Sequence, residues 1–205
     1  MNIQFLEKLS NADGIASNEQ EVRDVLVAEL KEYADEVSTD HLGSIIFKKG
    51  NRGPKIMLCA HIDEVGFIVR SISDMGQVML LSVGGVKPLA QFMQKVRITT
   101  EDGKKIHGII QATYESNAAT KVYVDRGAQT AQEVYDLGIQ VGDMVTYTTE
   151  FEHFALADVV AGKAFDDRLG CFIMGEVLKR LQGIDHPNTV YMVGTSSEEV
   201  GIRGA

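Results

Sequence analysis

Apolar residues return at helical spacing in the first third of the chain and then change to strand-like runs. A short helix is predicted over about Ile3 to Leu9. Ser17 followed by Gln20 reads as a capping box opening a second helix, in which Val22, Val25, Leu26, Leu30 and Tyr33 recur on one face. Glu21, Arg23, Asp24, Glu29 and Lys31 occupy the other face, so one side packs on a core. Ser44–Lys48 and Lys55–Ile62 read as strands, the second apolar nearly throughout, as a strand buried on both faces should be. Helices leading into a buried strand predict an α/β layer.

The texture changes after Glu64. Short β-segments are predicted at Gly66–Ile72, Gln77–Val83, Lys95–Thr100, Lys105–Gln111, Lys121–Val124 and Asp143–Thr148. Glu101 to Lys104 form a hairpin turn with Gly103 supplying positive φ. One short helix interrupts them, opened by Thr130 with Glu133 as its capping partner and closed by Gly138. From Gly162 the α/β texture returns, with a helix over Arg168–Leu181 and a buried strand over Thr189–Gly194. The expected organisation is a first α/β part at 1–64, an inserted all-β domain at 65–160 and a second α/β part at 161–205. The chain stops at Ala205, just after the acidic loop Ser196–Gly201. An open parallel sheet halting there leaves an uncovered edge, which predicts the N-terminal part of a longer protein or half of one completed by another chain.

Composition narrows the partners. With 20 Lys+Arg against 29 Asp+Glu the formal net charge is −9, which argues against nucleic acid and anionic membrane. The longest apolar stretch, Val78–Val86, is interrupted by Ser82, Gly84 and Gly85 and falls far short of the roughly 20 residues that span a bilayer. The first residues carry no signal-peptide pattern, and Cys59 and Cys171 read as buried thiols of a reducing compartment, so a cytoplasmic location is expected.

Three clusters carry candidate chemistry. His61 and Asp63 stand at the end of a buried strand, where Asp63 can accept from one imidazole nitrogen while the other faces a metal. Asp166 and Asp167 sit where a loop enters a helix; helix capping accounts for one of them more readily than for both. Glu198 and Glu199 follow a buried strand, and neighbours in extended chain point apart, so one can bind a metal while the other handles a proton. Together they form an N/O donor set suited to zinc or a similar divalent ion.

These stretches, Leu58–Phe67, Gly162–Gly170 and Ser197–Ala205, with Val124–Gly127 and Leu137–Asp143 between them, resemble the M42 family of metallo-aminopeptidases. The likeness runs along essentially the whole chain. It implies an α/β/α catalytic domain of the zinc-peptidase type, incomplete here, with an inserted small barrel or PDZ-like β-domain. By resemblance His61 is a metal ligand, Asp63 its orienting carboxylate and Asp166 a bridging ligand, with Asp167 structural. Glu198 is the general base and Glu199 a ligand. The family uses two divalent ions, zinc or cobalt and in some cases manganese, and draws a further aspartate and histidine from beyond the glutamate pair. His107, His153 and His186 do not match that histidine, so at most one well-formed metal site and little or no activity are expected of this chain alone. The implied function is removal of N-terminal residues from peptide substrates, with homo-oligomers at full length. The alternative is a non-catalytic assembly module associating through the β-domain. Glycoside hydrolysis is disfavoured by the adjacent placement of Glu198 and Glu199 and by the absence of Trp.

Overall fold

The computed structural model describes residues 2–115, 118–156 and 158–204. The chain divides into two compact units, Met1–Glu64 with Glu150–Ala205, and Val65–Thr149.

The first unit is mixed α/β. In chain order it contains α1 (Ile3–Asn11), α2 (Gln20–Leu30), β1 (Glu36–Thr39), β2 (Ile45–Lys49) and β3 (Lys55–His61). After the second unit come β10 (Glu152–His153), β11 (Val160–Ala161), α4 (Phe165–Arg180) and β12 (Thr189–Thr195). The main sheet has the order β1-β2-β12-β3. β12 runs parallel to β3 but antiparallel to β2. The sheet is therefore mixed, where an open parallel one was expected, because β2 turns back beside the later strand. Phe5, Leu9, Val22, Leu26, Leu30, Phe47, Leu178 and Met192 form its core. Gly175 makes the α1–α4 crossing possible, since a Cβ there would stand 2.7 Å from the Phe5 ring.

β3 departs from expectation. It is the edge strand, and Ile56, Met57 and Cys59 are exposed, Met57 to 67%. Only Ala60 and His61 at its end are buried. An apolar run predicts burial on both faces only when strands and helices flank it on both sides, and here α4 lies against one face. Cys59 is thus an exposed thiol, whereas burial raises the Cys171 thiol to about 12.

The second unit holds β4 (Gly66–Ile72), β5 (Val78–Val83), β6 (Lys95–Thr99), β7 (Lys105–Glu115), β8 (Ala118–Asp125), α3 (Ala131–Tyr135) and β9 (Met144–Tyr147). Six strands close into a barrel in the order β4-β5-β8-β7-β6-β9, with β9 pairing both β4 and β6. Alternation fills it: Phe67, Val69, Val78, Val96, Ile98, Ile110, Val124 and Val145 are fully buried. The expected turn forms, with Gly103 at φ +79° and the Thr100 N–H donating to the Lys104 carbonyl. The Thr130 hydroxyl accepts from the Glu133 amide and caps α3.

Two local expectations fail. Residues 150–160, assigned from sequence to the β-insert, group with the α/β unit: the Phe151 amide donates to Asn11 Oδ1 and its ring packs beside Phe165. The capping box at Ser17 does not form either. Ser17 adopts φ +68° in a turn, α2 starts at Gln20, and the preceding Glu19 gives the helix no side-chain cap, its Oε1 accepting instead from the Ser197 amide.

Candidate metal centre

β3 ends in a sequence of steps that place the candidate ligands. The Ile62 amide still donates to the Thr195 carbonyl, so the chain after His61 stays registered against β12. β12 itself passes close to this point because residue 194 is glycine; a Cβ there would meet the Ile62 and Ile45 side chains at 2.8 and 2.9 Å. The segments carrying His61, Asp63, Glu198 and Glu199 therefore leave neighbouring strands side by side. In α/β sheets this strand-end crevice is where ligands gather.

His61 is the hub, with its side chain 10% exposed. Its Nδ1 lies 3.0 Å from the Asp63 carbonyl and 3.6 Å from Asp63 Oδ1. Its Nε2 faces Asp166 Oδ1 at 3.1 Å and Glu198 Oε2 at 3.8 Å. Among the described residues, one group of metal-capable side chains has ligand atoms all within 4.8 Å of one another: His61, Glu198 and Glu199. Asp166 touches His61 but lies outside that group, its side chain 89% exposed. The expected trio His61, Asp166, Glu199 is thus only partly gathered, and Glu198, expected as a base, joins the cluster.

The paired aspartates divide their tasks. Asp167 Oδ1 accepts from the Gly170 amide, an N-terminal cap on α4. Asp166, joined to it by a cis peptide, keeps non-helical angles and faces His61.

Asp63 is completely buried, and its carboxylate spans two consecutive amides: Glu198 N donates to Oδ1 and Glu199 N to Oδ2, both at 3.0 Å. It therefore orients the glutamate pair as well as the imidazole, a task that alternation along a strand did not reveal. Burial, the strongest influence on Asp63, pushes its pKa up, but His61 and the two amides outweigh it and hold the carboxyl below its ordinary range. Burial likewise works to lower the His61 pKa, yet the carboxylate and carbonyl of Asp63, with Asp166, raise it to about 9.

A buried ionic network supports the same segments, and sequence reasoning assigned it no role. Arg168 is fully buried: Nε donates to the Ile62 carbonyl at 2.7 Å, and Nη1 donates to Leu9 and Ala12 at 2.7 and 3.0 Å. Lys163 Nζ donates to Glu64 Oε1 at 2.5 Å, to Asp13 Oδ1 at 2.8 Å and to the Ala12 carbonyl. Glu64 also accepts from the Gly14 amide and lies 3.6 Å from Arg168 Nη2. These bonds tie the loop after α1 to the end of β3 and the start of α4. The available signal was limited to Asp13 and Lys163, each set between small or apolar neighbours; charges in such company are buried only when paired.

The donor set fits a divalent cation. One imidazole and two carboxylates converge, and His61 Nδ1 is engaged with the Asp63 backbone, which leaves Nε2 for the cluster. This is the arrangement of metal-bound histidines, and its N/O composition suits zinc, cobalt or manganese.

Comparison with known proteins gives the family. The family profile of M42 glutamyl aminopeptidase matches residues 43–205. The putative aminopeptidase FrvX of Escherichia coli (strain K12) is 36% identical over 216 residues, covering 100% of this chain and 60% of that protein. The TET aminopeptidase of the marine sediment archaeon Thaumarchaeota archaeon SCGC AB-539-E09 superposes with a TM-score of 0.93 at 38% identity, over 98% of this chain and 60% of the other. The TET1 peptidase of Pyrococcus horikoshii, which can assemble into a tetrahedron or a large octahedral shell, gives 0.86 at 28% identity, over 98% and 63%. The chain spans about 60% of the length of the curated relatives it matches. Motif order, fold and profile agree, and the chain belongs to the M42 peptidase family.

Proposed function

We propose that this chain carries the metal-binding half of a metal-dependent aminopeptidase acting on the N-termini of peptides, on an α/β catalytic unit of the zinc-peptidase type. The observation that carries the reading is the convergence of His61, Glu198 and Glu199 within 4.8 Å, with Asp166 at the imidazole. His61 and Glu199 would hold the ion, with Asp166 closing from the exposed side. A divalent cation there supplies Lewis acidity toward a peptide carbonyl. Glu198 accepts a proton from the attacking water and returns it to the leaving amine, while Asp63 keeps both glutamates and the imidazole in place. Four side chains around one centre supply one ion, whereas two-metal hydrolysis needs ligands for a second, so low turnover is expected of this chain by itself.

The test is a titration of the dialysed chain with Zn2+ or Co2+. About one ion per chain is expected, with His61→Ala or Glu199→Gln weakening binding roughly tenfold or more. Glu198→Gln should leave affinity within about threefold, since the base is not needed to hold the ion. Loss of binding in Glu198→Gln would move Glu198 from base to ligand; absence of binding in the parent chain would overturn the metal reading.

The second reading, an assembly module, is favoured by the barrel unit's exposed apolar side chains. Leu89 is 93% exposed, with Phe92, Met93 and Ile109 also open to solvent. Met93 and Ile109 are neighbours, since the Met93 amide donates to the Ile110 carbonyl. Such a patch commonly marks a contact surface. Sedimentation should give oligomers for the parent chain and a smaller species for Leu89→Lys with Met93→Lys. A monomeric parent at tens of micromolar would contradict this reading.

A further inference from the structure

We propose that Glu19 is a positioning residue for Glu198 and Glu199, acting through the turn at Ser196–Ser197; this rests on the metal-centre reading above. Glu19 precedes α2, some 180 residues from the glutamate pair, and is 1% exposed. Its Oε1 accepts from the Ser196 hydroxyl at 2.7 Å, the Ser197 amide at 3.1 Å and the Ser17 amide at 2.9 Å. Oε2 faces Arg23 Nη1 at 3.2 Å, and the same Nη1 donates to the Gly43 carbonyl.

A carboxylate this deep is costly unless its oxygens are used, and most of the donors it meets belong to the turn or to the Ser17 loop that touches it. Ser17 Oγ and Ser197 Oγ stand 3.3 Å apart, joining those two loops directly. Ser197 needs the support, because it holds φ +59°, a left-handed conformation that non-glycine residues adopt at a cost. Its amide is the first of three consecutive N–H groups that end on buried carboxylates. Ser197 donates to Glu19, and Glu198 and Glu199 donate to Asp63. Two anions from separate elements therefore clamp the backbone from which the pair projects. The far side is closed by the Glu198 carbonyl, which accepts from Gly201 and Ile202. Freeing the Ser197 anchor lets the turn relax toward ordinary φ, and the two carboxylates lose their common aim. Small displacements of ligand side chains carry large losses in a preorganised site.

The experiment compares the parent chain, Glu19→Gln and Ser196→Ala by amide hydrogen exchange without metal and by Co2+ titration with visible spectra. In Glu19→Gln, exchange at Ser197, Glu198 and Glu199 should rise about tenfold or more relative to α4. Co2+ affinity should fall about tenfold with a changed ligand-field spectrum. Ser196→Ala, which keeps the buried charge, should move the same readouts by a smaller factor and serves where Glu19→Gln fails to fold. Unchanged exchange at 197–199 in either folded variant, or an unchanged cobalt spectrum and affinity alongside a lower melting temperature, would make Glu19 structural only and overturn the inference. A parent chain that binds no Co2+ would overturn the metal centre separately, and the exchange measurement would still decide whether Glu19 holds the turn.

Discussion

Arg168→Leu is expected to destabilise the α/β unit by about 3–5 kcal/mol, the usual consequence of removing one member of a buried ionic network. The guanidinium is fully buried and donates to the carbonyls of Leu9, Ala12 and Ile62, with Glu64 beside it. Leucine fills part of the volume but takes the guanidinium donor from the Leu9 and Ile62 carbonyls, leaves the Ala12 carbonyl to Lys163, and removes one of the two cations beside Glu64. Lys163 then remains as the cation beside Glu64 and Asp13. Arg168→Lys should recover less than half of the loss, because a single ammonium cannot reproduce a fork that serves several carbonyls. Denaturant unfolding followed by far-ultraviolet circular dichroism at a helix-dominated wavelength reports mainly on this unit, since α1, α2 and α4 lie in it while, among the described residues, the barrel unit has the five-residue α3 as its one α-helix. A loss below 1 kcal/mol would mean that the network is dispensable to the fold. The location matters for chemistry too, because the same bonds pin the end of β3 and the start of α4, which carry His61 and Asp166.

With a chelator present, stability of the same unit should fall as pH rises from about 6.5 to about 9, by up to about 3 kcal/mol. The sign follows from His61. Its folded pKa is raised to about 9 from an ordinary 6.5, so the folded state binds the extra proton in that window. The favourable contribution is complete below the unfolded value and is lost as the imidazolium deprotonates at the Asp63–Asp166 site. Asp63 shares this interaction, so the pair counts once; its own depressed pKa adds the opposite limb, stability lost as pH falls through the carboxylate range. His61→Gln should flatten the alkaline limb and shrink the acid limb, leaving the part that the Glu198 and Glu199 amides supply to Asp63. A parent chain whose stability is level or rises between pH 6.5 and 9 would contradict the placement of His61 among these acceptors.

Much of this architecture was legible in the residues. Period-3.6 spacing located α2, the ranges read for α1 and α4 overlap the observed helices, and short β-segments with turn glycines located the barrel strands, because such patterns report which face meets a core. The capping pair Thr130–Glu133 was readable since its partners are three residues apart. Ser17–Gln20 carried the same pattern and misled, because a long-range partner competed: Glu19 bonds the Ser196–Ser197 turn, and Ser17 bends to meet it. β3 misled for a related reason, since an apolar strand does not disclose its rank in the sheet.

By itself the sequence determined most of the elements, though not the short strands β1, β10 and β11, together with the alternation between α/β and all-β texture and the short list of imidazole and carboxylate groups at strand and helix ends. Those depend on local period, turn chemistry and motif spacing, all written within a few residues. Only the tertiary structure decided that β2 runs antiparallel to β12, that Asp63 holds the backbone of Glu198 and Glu199, and that Asp166 stands at the exposed edge of the cluster. It alone brought Glu19 to Ser197 and Arg168 to the loop after α1. Each of these is a contact between segments more than a hundred residues apart, except for the exposure of Asp166, which depends on what lies around it. Neither kind of fact leaves a periodic trace in the chain.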